Sequence, residues 1–230
     1  MDDLKIRFVV ATRENQQQFF TSTATGKFLK LYNFPFIELD LYAENKEGLP
    51  VVYNRSIEKA ATNPAILVFT HDDIYLSDFY WADRLLNGLN QFEIVGVAGN
   101  KRRLPEQPAW AFIDDELTWD DQSHLSGIVA HGLEFPYRTL SIFGESCQEV
   151  KLLDGVFLAC RSEVLQTNNL KFDERFDFHF YDIDFCRSAE AQNVSMGTWS
   201  ISIVHESGGS FGSSNWIKNR DEYFSKWGKS

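Results

Sequence analysis

The sequence is short of basic residues, of cysteine and of long apolar runs. Lys and Arg number 22 against 33 Asp and Glu, a formal net charge of −11 over 230 residues. Nucleic-acid binding needs cations facing phosphates, so this balance argues against it. It also weakens adsorption to anionic lipid. One basic run, Lys101-Arg102-Arg103, reads as a solvated loop; a contact to a donor phosphate or an acceptor is its other use. Cys147, Cys160 and Cys186 are widely spaced and odd in number, which gives neither a zinc pattern nor a disulfide framework. A reducing compartment is the expected home. Met1-Asp2-Asp3-Leu4-Lys5 does not read as a secretory leader, and no apolar stretch reaches the length of a membrane span. The expectation is a soluble cytoplasmic protein, at most peripherally associated with a membrane. There is no internal repeat and no dividing linker, so one domain is expected.

Apolar and aromatic residues are plentiful, at 43% and 15%, with 20 Phe among them. A chain of this length buries a core without disulfides, and the Phe content implies an aromatic interior or a cleft with apolar walls. Ile6 to Ala11 reads as a buried strand ending in the turn Thr12-Arg13-Glu14-Asn15. A helix is expected from Gln16 to Ala24, a strand from Phe36 to Tyr42, and a helix from near Val52 to Ala61. Asn63-Pro64 stops that helix. Ala65 to Thr70 and Phe92 to Ala98 read as strands, with a helix between them capped by Ser77. Strands alternating with helices over the first hundred residues indicate an α/β unit with a mixed, mainly parallel sheet flanked by helices. Arg103 to Gln122 reads as loop or short strand, and Val150 to Ala159 as a strand with a turn inside it. Asp182 to Gln192 fits an amphipathic helix, and the Gly/Ser-rich tail from about 207 to 230 is expected to be mobile.

Ligands of such sheets gather beyond the carboxyl ends of the strands, where Arg13, Asn45 and His71-Asp72-Asp73 stand. The Asp pair follows the apolar run Ala65 to Phe69; it fits a turn or a helix cap, and also a magnesium or manganese site on a donor's phosphates. Asp182 and Asp184 sit among Phe180, Tyr181 and Phe185 at a helix start. Two residues apart on a helix, they face different ways and need separate explanations. His205 ends the apolar run Ile201 to Val204, just before Glu206-Ser207-Gly208-Gly209; alone it suits a structural role, with the acids it suits a mixed oxygen and nitrogen metal site. Asp154-Gly155 by itself reads as a hairpin turn, and Trp110 and Trp119 as core or as sugar-stacking faces.

Taken in order, these segments resemble the GT-A glycosyltransferases, in particular bacterial members of glycosyltransferase family 2. The resemblance runs from Ile6 to about Ser210. It rests on Val9 to Asn15, Glu47-Gly48-Leu49-Pro50 with Tyr53-Asn54, Phe69 to Ile74, Leu153 to Phe157, Phe172 to Phe176, Tyr181 to Cys186 and Val204-His205. It implies a nucleotide-binding half of about residues 1–100 and an acceptor and catalytic half of about 101–210. It further implies inverting transfer of a sugar from a nucleotide-sugar to a glycan or lipid-linked hydroxyl, as in bacterial surface polysaccharide synthesis, with Mn2+ or Mg2+. By the same resemblance Asp73 and His205 hold the metal, and Thr12, Arg13, Glu14, Asn45, Asn54, His71 and Asp72 bind the nucleotide or donor. Asp154 and Gly155 face acceptor or sugar, Asp182 is the general base and Asp184 supports it. Tyr181 stands where the family carries Glu, and Arg187 lies one position before the family's Arg, with Ser188 in its place. The alternatives are a metal-dependent nucleotidyltransferase, against which the Gly-free Thr12-Arg13-Glu14-Asn15 counts, and a non-catalytic nucleotide- or glycan-binding module of the same fold.

Overall fold

A computed structural model describes residues 5–133, 137–209 and 211–228. Strand β1 (Ile6–Ala11) is buried through Val10, as a strand covered on both faces must be. It pairs in parallel with β2 (Ile37–Tyr42) and β3 (Ile66–Thr70). The expected first helix is two helices, α1 (Gln16–Ser22) and α2 (Ala24–Leu31). Asn15 and Gln18 form a capping box on α1, and Thr23 ends it by capping α2, its hydroxyl accepting from the Gly26 amide. Helix α3 (Leu49–Ala60) carries Pro50 in its first turn, where a missing N–H costs nothing.

After β3 the chain leaves the first sheet. Ile74–Leu76 is strand β4, paired with β12 (Ile203–His205) of a second sheet. The backbone is therefore still extended on reaching Ser77, which caps nothing. Asp78 instead accepts from the Tyr80 amide, and helix α4 runs from Trp81 to Leu89. The expected strand over 92–98 breaks at Val97 into β5 (Ile94–Gly96) and β6 (Ala98–Asn100), one in each sheet. The second sheet continues with β7 (Leu125–His131), β8 (Thr139–Gly144) and β9 (Leu152–Leu153). β10 (Phe157–Arg161) and β11 (Met196–Thr198) return to the first. The first sheet has the order β11-β5-β10-β3-β1-β2, with only β10 reversed. The second has the order β4-β12-β7-β6-β9, with β8 beside β7.

The chain thus crosses between sheets five times, at 71–73, 77–93 (through α4), 97, 154–156 and 199–202. Asp154-Gly155 is one of these crossings and not a hairpin turn, because β9 pairs with β6 while β10 pairs with β3 and β5.

Helices α5 (Ser162–Thr167), α6 (Tyr181–Ala191) and α7 (Ser214–Trp227) complete the chain. Helix α7 corrects the expectation of a mobile tail over residues 214–227. Ser213 caps it, Trp216 and Tyr223 are buried, and Lys226 and Trp227 bond to Asp184 at the start of α6. Among the described residues no helix is long and apolar enough to cross a membrane.

Candidate active site

The loop His71-Asp72-Asp73 joins the two sheets, and α2 holds it. The Thr25 hydroxyl donates to the carbonyls of His71 and Ile74, and the Thr25 amide donates to Asp72. Thr12, at the end of β1, donates to the Asp72 carboxylate at 2.6 Å. Asp72 thereby faces the first-sheet side, whereas Asp73 faces β12. His205 at the end of that strand brings its Nε2 within 3.3 Å of Asp73 Oδ2, and the Ser207 hydroxyl lies 2.5 Å from the same oxygen.

His71, Asp73 and His205 each offer one ligand atom within 4.8 Å of the others. His71 Nδ1 is 3.9 Å from Asp73 Oδ1, and that oxygen is buried without a hydrogen-bond partner. A buried carboxylate oxygen left unpaired is costly, and a cation among the three side chains would complete it. Two imidazoles and a carboxylate form a donor set better suited to manganese than to magnesium, which prefers oxygen. Burial resists ionisation of Asp73, but the hydrogen bond and charge of His205, with His71 beside it, hold its pKa well below the ordinary carboxylate range. Burial likewise opposes charge on His205, and Asp73 outweighs it, raising that pKa. Burial lowers the pKa of His71. The sequence reading had assigned His71 to the donor; its place beside Asp73 and His205 adds it to the metal-binding candidates.

Asp182 stands in the first turn of α6, one residue after Tyr181. Phe180 before it has a φ of 67°, rare for an aromatic residue, and this turn lets Tyr181 and Asp182 line the same cleft as His71, Asp154 and His205. Asp182 Oδ2 accepts from the Gly155 amide at 3.1 Å. Burial, and then the charge of Asp154, push its pKa up to about 7 against the weaker pull of backbone N–H groups. A helix N-terminus alone would favour the charged form, so desolvation dominates here. A Cβ at position 155 would lie 2.3 Å from the Tyr181 hydroxyl, so only glycine fits at this crossing.

Asp184 points away from the cleft. It is fully buried and bonded to Lys226 Nζ at 2.7 Å and to Trp227 Nε1 at 2.7 Å; burial raises its pKa despite these donors. Its partners are a Lys and a Trp of α7, and it fixes α6 against that helix.

The cleft beside Asp182 holds about 550 Å³ and is walled by Trp110, Phe112, Trp119, Phe143, Phe211 and Trp216. Trp119 is 55% exposed and stacks on Phe143 at 6.0 Å. Trp110 is buried, yet it too borders the cleft. This wall assembles from distant segments, and only the two Trp residues had been singled out from the sequence. A second cleft, of about 1030 Å³, lies over the ends of β1 and β2. It is lined by Thr12, Arg13, Glu14, Asn45 and Asp72, and meets the first cleft at Phe178.

Asn54 lies in neither cleft. Its amide donates to the Phe172 carbonyl and to Glu174, and accepts from the Phe172 amide. It ties α3 to the segment before α6, and the expected donor contact is corrected accordingly. The two Arg residues of the basic run are also occupied. Arg102 pairs with Asp120 and Arg103 lies 3.4 Å from Glu190, so neither faces a cleft.

A solved structure described as GalNAc-T7 with UDP, GalNAc and Mn2+ superposes on 97% of this chain at a TM-score of 0.54 and 10% identity. At that identity the likeness concerns the fold alone. The chain spans 48% of that protein's length. S. aureus TarS (residues 1–349) matches at a TM-score of 0.42 and 12% identity, over 89% of this chain and 59% of its own. The Pyrobaculum calidifontis mannosyltransferase PcManGT, in complex with GDP-Man and Mn2+, matches at 0.47 and 13%, over 87% and 56%. These two scores are too low to add to the argument. No curated protein matches the chain. Residues 14–227, nearly the whole chain, match the family described as glycosyltransferase-like, and the chain belongs to that family, with a GT-A fold resembling family 2.

Proposed function

We propose that this chain is an inverting glycosyltransferase that moves a sugar from a nucleotide-sugar to a hydroxyl of a glycan or lipid-linked acceptor. The observation that carries the reading is Asp182. Its pKa is raised to about 7, and it shares a cleft with His71 and His205, the two imidazoles that flank Asp73. A carboxyl with that pKa accepts a proton near neutrality far better than an ordinary one. As the acceptor oxygen attacks the anomeric carbon, its proton passes to Asp182. The Gly155 amide holds one carboxylate oxygen and thereby sets the position of the other.

A divalent cation held by His71, Asp73 and His205 would stabilise the charge that develops on the departing nucleoside diphosphate. The nucleoside would lie over the ends of β1 and β2, near Thr12, Arg13, Glu14 and Asn45, with Asp72 held by Thr12 at the boundary. The apolar wall from Trp110 to Trp216 suits the faces of the transferred sugar and of the acceptor. Asp154, on the same side, raises the basicity of Asp182 by its charge. The resemblance to bacterial members of family 2 is what suggests a role at the cytoplasmic side of bacterial surface polysaccharide synthesis.

The test is transfer and hydrolysis of a panel of nucleotide-sugars with Mn2+ or Mg2+. Asp182→Asn should lose about 10²–10⁴-fold in transfer rate while keeping donor affinity. Near-normal transfer by that variant would remove Asp182 from the base role. A wild-type protein that binds nucleotide-sugars but releases no nucleoside diphosphate with any acceptor would point to a binding module.

A further inference from the structure

We infer that Tyr181 is a positioning residue for the cation group: its hydroxyl fixes His71 in the tautomer protonated on Nε2, so that bare Nδ1 is the nitrogen presented beside Asp73. The inference rests on the metal reading given above.

The reasoning starts from counting protons. The Tyr181 hydroxyl lies 3.0 Å from the Gly155 carbonyl oxygen and 3.0 Å from His71 Nε2. A phenol has one proton to give, and a carbonyl oxygen can only accept. The phenol proton therefore goes to Gly155, and His71 Nε2–H donates to the phenol oxygen. A neutral imidazole has one N–H, which leaves Nδ1 with a free lone pair. The partner of one ring nitrogen decides the state of the other.

That bare nitrogen faces Asp73 Oδ1 at 3.9 Å, too far for a hydrogen bond. The same oxygen is the buried one without a partner. A lone pair and an unpaired carboxylate oxygen at this distance repel, and a cation held by His71 and Asp73 would relieve that repulsion. The opposite tautomer would strip the Gly155 carbonyl of its phenol donor and reach towards Asp73 across the same 3.9 Å, so it satisfies fewer groups. Phe178, stacked on the His71 ring at 5.7 Å between centroids, limits rotation away from this pose.

The Gly155 backbone thereby serves both halves of the site. Its N–H holds Asp182, and its carbonyl holds the phenol that orients His71.

Two measurements test this. In 15N-histidine-labelled, metal-free protein, the His71 signals, assigned by their loss in His71→Asn, should report Nε2 protonated and Nδ1 bare. Titration with Mn2+ alone, followed by the electron paramagnetic resonance of the free ion, should show Tyr181→Phe binding about 10- to 100-fold more weakly than wild type. An Asn side chain places its oxygen near the Nδ1 position and a Gln near Nε2, so His71→Asn should retain more Mn2+ affinity than His71→Gln. A protonated Nδ1 in the wild type, or unchanged Mn2+ affinity in a folded Tyr181→Phe variant, would overturn the inference. The tautomer measurement decides the matter even if that variant does not fold. A wild type with no affinity for Mn2+ would overturn the metal reading itself, which the other outcomes leave standing.

Discussion

Replacing Asp182 by Asn should cost activity and add stability, and the gain should depend on pH. Its carboxyl titrates at about 7 in the folded chain against an ordinary value of 3.8. The cause is burial first and the Asp154 charge second. Below about pH 4 the carboxyl is protonated in both the folded and the unfolded chain, and its ionisation contributes nothing. Between there and about pH 7 the unfolded chain gives up the proton while the folded chain keeps it, so stability falls as pH rises. Above about pH 7 the full penalty is present. The whole rise corresponds to about 4 kcal/mol. The side chain borders an open cleft, where water screens it, so about 2 kcal/mol is the working figure. Asn keeps the shape, and its carbonyl oxygen can still accept from the Gly155 amide. Urea unfolding of both proteins at pH 5, 6, 7 and 8 isolates the effect, because all other titrating groups cancel in the difference. The excess stability of Asp182→Asn should grow with pH and level off near pH 8. A difference that is flat with pH, or a variant less stable than wild type throughout, would show that Asp182 is not a desolvated carboxylate, and the argument for its basicity would fall with it.

Other changes separate the site from its scaffold. Asp73→Ala removes the carboxylate between the two imidazoles, and calorimetry should show nucleoside diphosphate affinity losing its dependence on manganese. Asn54→Ala leaves the Phe172 amide and carbonyl unpaired in the interior and should cost about 2–3 kcal/mol in denaturant unfolding, with donor affinity unchanged at temperatures where the variant is folded. Lys226→Met leaves the buried Asp184 with Trp227 alone and should cost about 3 kcal/mol; a change in melting temperature of less than a degree would refute the clamp between α6 and α7.

The parts legible in the sequence are those whose signal is local. Ile6 to Ala11, apolar but for Arg7, and Ile66 to Thr70, apolar through Phe69, are each a buried strand leading to a cleft. The acids at the start of α6 stand in its first turn, as their spacing among aromatic residues indicates. Asn54 was misread because its partners lie 118 residues away, and a buried amide bonded to main chain has no sequence signature. His71 was assigned to the donor by the resemblance, and its Nε2 contact with Tyr181, 110 residues away, has no local signature. Helix α7 was hidden by the Gly and Ser residues before it, although Ser213 and the spacing of Trp216, Tyr223 and Trp227 carry a readable helix signal. The second sheet escaped because its short strands switch partners at single residues such as Val97, where periodicity says nothing.

Those crossings carry one further consequence. His71 follows a strand of the first sheet, whereas Asp73 and His205 flank strands of the second. The 6.1 Å between the two imidazole centroids is therefore a gauge of how the sheets meet, fixed by neither sheet alone. Substitutions along the seam, far from any ligand atom, would reset that gauge by tenths of an ångström. They would register as altered affinity for the ion before they registered as altered melting, so the seam between the sheets is the part of the scaffold on which the tuning of this site can act.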